Sequence, residues 1–148
     1  MSETKNLLIV VNSGPDKPYN QYAAYVMAFL AKKVSQVPRV SIYYGPYGVS
    51  MTRKGELAKL ALDAKLRELV AVQVEGVMAS NLPGDLLGLA RFVKTYLGVG
   101  IFSCGTFHVL EGIGKDLEDV ANIEEFVVPL KLPEAAAALL KADKIHYL

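Results

Sequence analysis

The sequence predicts an α/β fold in which three layers (α/β/α) are built around a mainly parallel sheet of about five strands. Short apolar runs alternate along the chain with segments of helical periodicity, which is typical of parallel strands connected by helices. The apolar runs are continuous, as in strands that are covered on both faces. A length of 148 residues suits one domain, which we assign to residues 1–148.

The first apolar run, Lys5 to Val11, predicts a buried strand that ends in a loop containing glycine and proline, Asn12 to Pro18. Apolar and aromatic side chains then recur at helical spacing, which predicts a helix over residues 20–35 with Asn20 as its N-cap. The segment Pro38 to Tyr44 is rich in β-branched and aromatic residues, so it predicts the second strand.

The middle of the chain has a less regular pattern. Residues 49–65 contain good helix formers and predict a helix, although Gly55 weakens its start. Residues 66–80 fit two interpretations, because Val70, Val72 and Val74 alternate as in a strand while the flanking apolar residues have helical spacing. We favour the helix and leave the strand open.

A clear break at residues 81–85 precedes the next helix, for which Asp85 is a suitable N-cap and Gly98 a suitable end. Residues 99–104 predict a short buried strand, and a short helical stretch follows from Gly105 to about Gly112.

The last third of the chain continues the alternation of strands and helices. Residues 123–128 predict a fourth strand, and residues 144–148 predict a last one. Between them Pro133 suits the first turn of an Ala-rich helix that runs to Ala142.

Composition excludes several classes of protein. The longest apolar runs fall far short of the ~20 residues that a membrane-spanning helix needs. Met1 to Asn6 carry both signs of charge and lead to no small-residue cleavage site, so no secretory signal is indicated. We therefore expect a cytoplasmic protein without a membrane partner. One cysteine and two histidines exclude an internal disulfide and a Cys-rich zinc site, so we expect no metal.

Charge and apolar content point to the kind of partner. The chain has 16 basic and 15 acidic residues, without the positive excess that binding to a phosphate backbone favours, so we expect no nucleic-acid partner. With Gly counted in place of Tyr, apolar residues make up about 55% of the chain, against ~45–50% in typical domains. A symmetric interface is a common way to cover such a surplus, and we expect a homo-oligomer.

The fold class also predicts where a site would lie. In parallel α/β sheets the binding crevice lies beyond the carboxyl ends of the strands, which here collects residues 12–20, 45–54 and 104–108. Cys104, the only thiol, is predicted to lie where a strand ends and a helix begins. Free N–H groups at a helix N-terminus favour the reactive thiolate. The alternative is an inert, buried cysteine, which is the commoner role of a free thiol.

Several neighbours are candidates for supporting an anionic sulfur. Gly105 allows a tight turn, Thr106 can cap the helix, and His108 lies one turn further along. A Cys–His pair for acyl transfer also needs an orienting group and an oxyanion site, which the sequence does not locate. Arg53 and Lys54 follow the second strand, where they can stabilise the anion or simply form a solvated surface.

Two other local patterns have simpler explanations. Tyr43, Tyr44 and Tyr47 form an aromatic cluster that is more typical of a core or an interface than of a stacking platform. The pair Gly98 and Gly100 lacks the third glycine of a dinucleotide-binding turn and precedes a strand instead of following one. We therefore expect no nucleotide or other cofactor.

The chain resembles the DsrE/DsrF-like family, which includes sulfur-relay subunits. The matching features are the opening strand that leads into Asn12-Ser-Gly-Pro15, the strand from Gly98 that ends at Cys104, Gly112-Ile113, and the ending Ala142 to Leu148. They span nearly the whole chain, and residues 64–84 are the least familiar part. The resemblance implies a flavodoxin-like sheet and assembly as a trimer or hexamer.

In the sulfur-relay members the cysteine at this position holds sulfur as a persulfide, so the resemblance implies that role for Cys104. No second cysteine is present, so any transfer must go to another molecule. The leading hypothesis is a sulfur carrier or sulfurtransferase that works between donor and acceptor proteins. The alternative is a non-catalytic oligomeric module that binds a small anionic ligand or a protein partner, and a third hypothesis is a flavin or nucleotide binder. The candidate site residues are Cys104, Gly105, Thr106, His108, Asn12, Arg53 and Lys54.

Overall fold

A computed structural model describes residues 3–148 of the chain. In this part of the chain five strands form one sheet, and all of their pairings are parallel. The strands are β1 Asn6–Val11, β2 Arg39–Tyr44, β3 Gly100–Cys104, β4 Val128–Leu130 and β5 Lys144–Tyr147, and they lie in the order β4-β3-β2-β1-β5. The predicted α/β class with a parallel sheet of about five strands is confirmed.

Five α-helices connect and cover the strands in the described part of the chain. They are α1 Pro18–Lys33, α2 Ala64–Ala71, α3 Leu86–Leu97, α4 Gly105–Leu110 and α5 Leu132–Lys141. Short 3₁₀ segments lie at Val49–Thr52, Leu57–Lys59 and Ala79–Asn81.

The sheet has helices on both faces. Successive side chains of a strand point to opposite faces, so Tyr43 and Tyr44 of β2 face opposite ways. The Tyr44 hydroxyl lies 2.5 Å from that of Tyr25 in α1, which places α1 on one face together with α3, which packs against it. Tyr43 shares a small groove with Ala138 of α5 on the other face. We call these the α1 face and the α5 face.

The central position of β1 explains its composition. This strand pairs with β2 on one side and β5 on the other, and every side chain from Leu7 to Val11 is buried. A strand with helices on both faces needs apolar residues at every position, and this requirement produces the continuous apolar run in the sequence.

The ends of α3 and α5 agree with the sequence signals. Asp85 caps α3, since its Oδ1 accepts a hydrogen bond from the Gly88 amide at 2.8 Å. Gly98 ends the helix in a left-handed conformation with φ of 72°, which glycine adopts without steric cost. Pro133 lies in the first turn of α5 as predicted.

The predicted start of the first helix is wrong. The helix begins at Pro18 rather than at residue 20, and its N-cap residue is Lys17, not Asn20. The fixed φ of proline is already helical, so Pro18 suits the first turn. Asn20 lies inside that turn and donates a hydrogen bond from Nδ2 to Ser13 Oγ at 3.2 Å.

The predicted helix over residues 49–65 is also wrong. Two 3₁₀ segments and irregular chain replace it, and α2 begins only at Ala64, where Asp63 caps the Leu66 amide at 2.9 Å. Packing against the strands overrides helix propensity here, because Val49, Met51, Thr52 and Leu57 of the 3₁₀ segments are buried. In residues 66–80 the favoured helix is correct only as far as Ala71.

The fourth strand lies later than predicted, at Val128–Leu130 instead of residues 123–128. Ile123, Phe126 and Val127 are buried, which explains their strand-like pattern. Glu124 instead donates its amide hydrogen to the Thr52 carbonyl at 2.9 Å. The segment thus packs against the 3₁₀ turn after β2 and does not extend the sheet.

The buried tyrosine pair leads to a first prediction. Changing Tyr44→Phe leaves the Tyr25 hydroxyl buried without its partner, and we expect the free energy of unfolding to fall by about 1–3 kcal/mol. The double change Tyr25→Phe with Tyr44→Phe should cost less than the sum of the single changes, since no orphaned hydroxyl remains. Urea unfolding measures both quantities. Tyr47→Phe, at a position that is 78% exposed, is the control, and additive effects would contradict the prediction.

Candidate functional site

Cys104 lies at the junction that the sequence predicted. It is the last residue of β3 and the N-cap residue of α4, so the free N–H groups of the first helical turn begin beside it. Its side chain is only 3% exposed. The position therefore matches that of a reactive thiol, whereas the burial matches the alternative of a packed cysteine.

Tyr43 is the polar neighbour of Cys104. The two residues lie on adjacent strands and on the same face, because Tyr43 pairs with Phe102, two residues before Cys104. Such diagonal neighbours are within reach of an aromatic side chain. Burial raises the pKa of Tyr43, and a side-chain hydrogen bond with Cys104 and the charge of Cys104 raise it further. Tyr43 therefore keeps its proton at neutral pH and can donate it in a hydrogen bond to sulfur.

Two apolar residues complete the surroundings of Cys104 on the α5 face. Leu130 of β4 is its partner in the strand register, and Phe102 precedes it on the same face of β3. Tyr43, Phe102 and Leu130 also line a groove of about 130 Å³ between the sheet and α5. Tyr43 and Leu130 are the neighbours of Cys104 on the adjacent strands, whereas the ring of Phe102 lies over Gly100, where a Cβ atom would be 2.5 Å from Phe102 Cε2.

Gly105 is required by close packing as well as by the turn. A Cβ atom at this position would lie 3.2 Å from the Leu130 carbonyl oxygen and 3.6 Å from Pro129 Cβ. The absence of a side chain thus lets β4 approach the start of α4 beside Cys104.

Thr106 and His108 both lie in α4, directly after Cys104. Within residues 3–148, no side chain caps α4, so the predicted cap by Thr106 is wrong. His108 is buried, and in the same residues neither of its ring nitrogens has a hydrogen-bond partner. Burial lowers the pKa of His108, which is therefore neutral at neutral pH. A role of these residues in supporting an anionic sulfur stays a prediction.

Arg53 and Lys54 lie near the far end of α4. Arg53 donates a hydrogen bond from Nη2 to the Glu111 carbonyl at 3.3 Å, and the Lys54 amide donates to the Asn122 carbonyl at 3.0 Å. The α-helical rise of 1.5 Å per residue places Glu111 about 10 Å from Cys104 along the axis. The structure therefore does not show these two cations beside the thiol.

Asn12 belongs to a different place on the same sheet edge. It follows β1, which is two strands away from β3, and strands in a sheet are about 4.8 Å apart. Its Oδ1 accepts a hydrogen bond from the Tyr47 amide at 3.0 Å. It lines a crevice of about 530 Å³ with Ser13, Lys17, Asn20 and Tyr147. The predicted site residues are thus divided between this crevice and the surroundings of Cys104.

Tyr43 is the residue that the sequence analysis missed. Its place in an aromatic cluster indicated a core role, and nothing in the local pattern relates it to Cys104. The relation depends on the register between β2 and β3, which is set by tertiary packing.

Comparison with known proteins supports the fold. No protein-family model and no curated protein matches the chain. Among solved structures, the crystal structure of the ychN protein from E. coli superposes with a TM-score of 0.60 over 97% of this chain and 99% of that one. The chain is similar in fold to ychN. At 15% sequence identity the likeness to ychN concerns the fold alone.

Residues 3–148 contain neither a membrane-spanning helix nor a cluster of metal ligands. No helix in this range combines the length and the apolar character needed to cross a membrane. In the same range no three His, Cys, Asp or Glu side chains are grouped as metal ligands.

The burial of Cys104 leads to a second prediction. We expect the native thiol to react with a small aromatic disulfide reagent on the order of 100-fold more slowly than the thiol of the unfolded chain, because reaction requires local opening. Tyr43→Ala removes one of the covering side chains and should increase the native rate about tenfold or more. The release of the coloured thiol measures both rates.

The control for this experiment is Tyr96→Ala, at a position on α3 that is 76% exposed. It should leave the rate unchanged. Urea unfolding of both variants separates local opening from global loss of stability. Equal rates for the native and the unfolded wild-type chain would show that the thiol is not covered in solution.

The buried His108 leads to a third prediction. Its pKa is lowered in the folded state, so the unfolded chain binds more protons below pH ~6.5, and the free energy of unfolding should fall as the pH falls from about 7.5 to 5.5. A hydrogen bond from the Lys115 amide lowers the pKa of Asp119. A hydrogen bond from the Arg91 side chain lowers the pKa of Glu125. The stabilising effect of these carboxylates is lost only at more acidic pH.

Urea unfolding at several pH values within this window measures the slope. His108→Gln should remove most of the slope because no buried imidazole remains to be protonated. His146→Gln is the matched change at the other histidine and should retain the slope. A wild-type stability that is constant across the window would contradict the prediction.

Proposed function

We propose that this protein is a sulfur carrier, which holds sulfur as a persulfide on Cys104 and passes it to the thiol of another molecule. The observation that supports this proposal is the position of the only thiol. Cys104 lies at the carboxyl end of β3, at the first turn of α4, and beside the hydroxyl of Tyr43. The resemblance to sulfur-relay proteins and the similarity in fold to ychN agree with the proposal.

The proposed chemistry is an exchange between sulfur atoms. The Cys104 thiolate attacks the outer sulfur of a donor persulfide, R–S–SH. The S–S bond of the donor breaks, R–S⁻ leaves and takes up a proton, and Cys104 becomes Cys–S–SH. In the second step an acceptor thiolate attacks the outer sulfur of Cys104, whose own sulfur leaves as the thiolate. No external oxidant or reductant is consumed, because the transferred sulfur keeps its oxidation state.

Tyr43 is the residue that supports the sulfur anion in this proposal. A neutral hydroxyl can donate a hydrogen bond to the thiolate before attack and to the persulfide afterwards, and hydrogen bonds to an anion are stronger than those to a neutral acceptor. The raised pKa of Tyr43 keeps this donor protonated. The free N–H groups at the start of α4 add partial positive charge on the same side.

Burial of Cys104 has two consequences for the proposed reaction. The side chain of Tyr43 must move aside for a donor to reach the sulfur, which is a rotation of one side chain and needs no rearrangement of the sheet. Once the side chain returns, the persulfide is shielded from solvent and from unrelated thiols. A carrier benefits from such shielding because a persulfide exchanges readily with any exposed thiol.

A mass measurement tests the proposed function. After incubation with inorganic persulfide, we expect the intact protein to become one sulfur atom heavier, and a reductant should reverse the change. Cys104→Ser should gain nothing. Tyr43→Phe should load about tenfold more slowly because the sulfur anion loses its hydrogen-bond donor, whereas Tyr47→Phe should load at the wild-type rate. If the native chain gains no sulfur although its thiol reacts with disulfide reagents, the proposal is wrong.

A second candidate function is supported by the crevice at Asn12. Polar side chains line it beside the start of α1, among them Asn12, Lys17 and Asn20, together with the carboxylate of Asp16. Lys17 and the free N–H groups of the first turn of α1 can bind a small anion, which Asp16 opposes, as in the alternative of a binding module. The test is to measure the affinity for inorganic phosphate in the wild-type protein and in Cys104→Ser. Equal affinities would show that anion binding in this crevice does not depend on the thiol.

We also propose a homo-oligomer as the functional state. Large apolar side chains remain strongly exposed, among them Leu140 at 86% and Tyr96 at 76%. Contact with a second copy would remove such surface from water. Assembly as a trimer or hexamer stays a prediction that rests on the family resemblance.

A further inference from the structure

The groove on the α5 face connects two places of different character. At one end lie Tyr43 and Leu130, which are the neighbours of Cys104 on the adjacent strands, and at the other end lie Arg39 and Lys141. Arg39 and Tyr43 are the ends of one face of β2, four residues apart, so at 3.3 Å per residue the groove runs for about 13 Å. A small molecule in this groove would reach from the two cations to the cover of the thiol.

The two cations are available to a ligand. Both residues are exposed, and within residues 3–148 neither forms an ion pair with a carboxylate. The carboxylate of Asp143, two residues after Lys141, accepts hydrogen bonds at its Oδ2 from the amides of Lys5 and Asn6 at 2.9 and 3.1 Å and keeps its negative charge. With two cations against this one carboxylate, the end of the groove has a net positive charge.

The middle of the groove is mostly apolar and narrow. Leu8 and Phe102 of the sheet face Ala138 of α5, and Ser41 adds one hydroxyl. A volume of about 130 Å³ encloses only part of a ligand and leaves the rest in solvent. An extended chain spans at most ~3.6 Å per residue, so a ligand that spans the groove is about as long as three to four residues of extended peptide.

We propose that the groove binds the sulfur donor, and that this donor is a small, peptide-sized persulfide with free carboxylates. Its carboxylates lie at Arg39 and Lys141, and its outer sulfur lies at Tyr43, next to Cys104. This inference rests on the proposed function, since it names the class of substrate for the same thiol. Apolar contact and charge pairing together then place the donor sulfur at the one end of the groove where a thiolate can attack it.

The test compares donors and variants in the full-length protein. The probes are glutathione persulfide, which has two carboxylates, its diethyl ester, which has none, and inorganic persulfide. The rate at which Cys104 gains sulfur is followed by intact mass at increasing donor concentration. The variants are Arg39→Gln, Lys141→Gln and the double change, and Lys65→Gln is the control because Lys65 is an exposed lysine on α2.

In the wild-type chain, the rate at which Cys104 gains sulfur should reach half of its maximum at a glutathione persulfide concentration about tenfold lower than the concentration of the ester that is needed. In the double variant the acid and the ester should half-saturate at the same concentration, while the maximal rate stays as in the wild type. Each single variant should lose part of the difference. Loading by inorganic persulfide should be the same in all chains, and Lys65→Gln should behave as wild type. Circular dichroism and urea unfolding confirm that the variants are folded.

The failure of this inference is distinguishable from the failure of the proposed function. If no donor loads Cys104, sulfur carriage itself is wrong. If inorganic persulfide loads Cys104 but the acid and the ester saturate alike in every variant, the groove does not select carboxylates and the inference is wrong. Loading by inorganic persulfide with no loading by glutathione persulfide would also overturn it.

Discussion

The handedness of the strand connections determines most of this structure. From β1 to β4 each connection moves one strand further in the same direction, and only the connection from β4 to β5 returns across the sheet. Because such crossovers are right-handed in nearly all proteins, the returning helix α5 must lie on the face opposite to α1. A five-stranded sheet is about 19 Å wide and a helix about 10 Å, so one helix leaves part of that face open.

The α1 face and the α5 face are covered to different extents because only one helix returns across the α5 face. On the α1 face the core is closed, and the hydroxyls of Tyr25 and Tyr44 pair with each other inside it, whereas within residues 3–148 the buried Ser103 hydroxyl has no hydrogen-bond partner. On the α5 face the strip beside the helix remains as a groove, and Cys104 lies at its covered end. Adjacent residues of one strand thus serve opposite purposes, since Tyr44 stabilises the core and Tyr43 covers the thiol.

The surroundings of Cys104 combine burial with a polar partner. The thiol has Tyr43 and Leu130 as its neighbours on the adjacent strands. In the proposed carrier the Tyr43 hydroxyl donates a hydrogen bond to the sulfur, and the buried position limits exchange with solvent thiols. Access to the sulfur then depends on movement of the Tyr43 side chain. His108, although close in sequence, is buried without a hydrogen-bond partner among residues 3–148, and its lowered pKa predicts an effect on the pH dependence of stability.

The sequence by itself determined the fold class, the ends of α3 and the position of Cys104 after a buried strand, because apolar periodicity and capping residues act locally. It misplaced the start of α1, the helix over residues 49–65 and the fourth strand, where packing against distant residues overrides local preference. Only the tertiary structure decided that Tyr43 lies beside Cys104, that Arg53 lies at the far end of α4, and that Asn12 belongs to another crevice. These relations depend on strand order and register, which are set by the packing of segments that are distant in sequence.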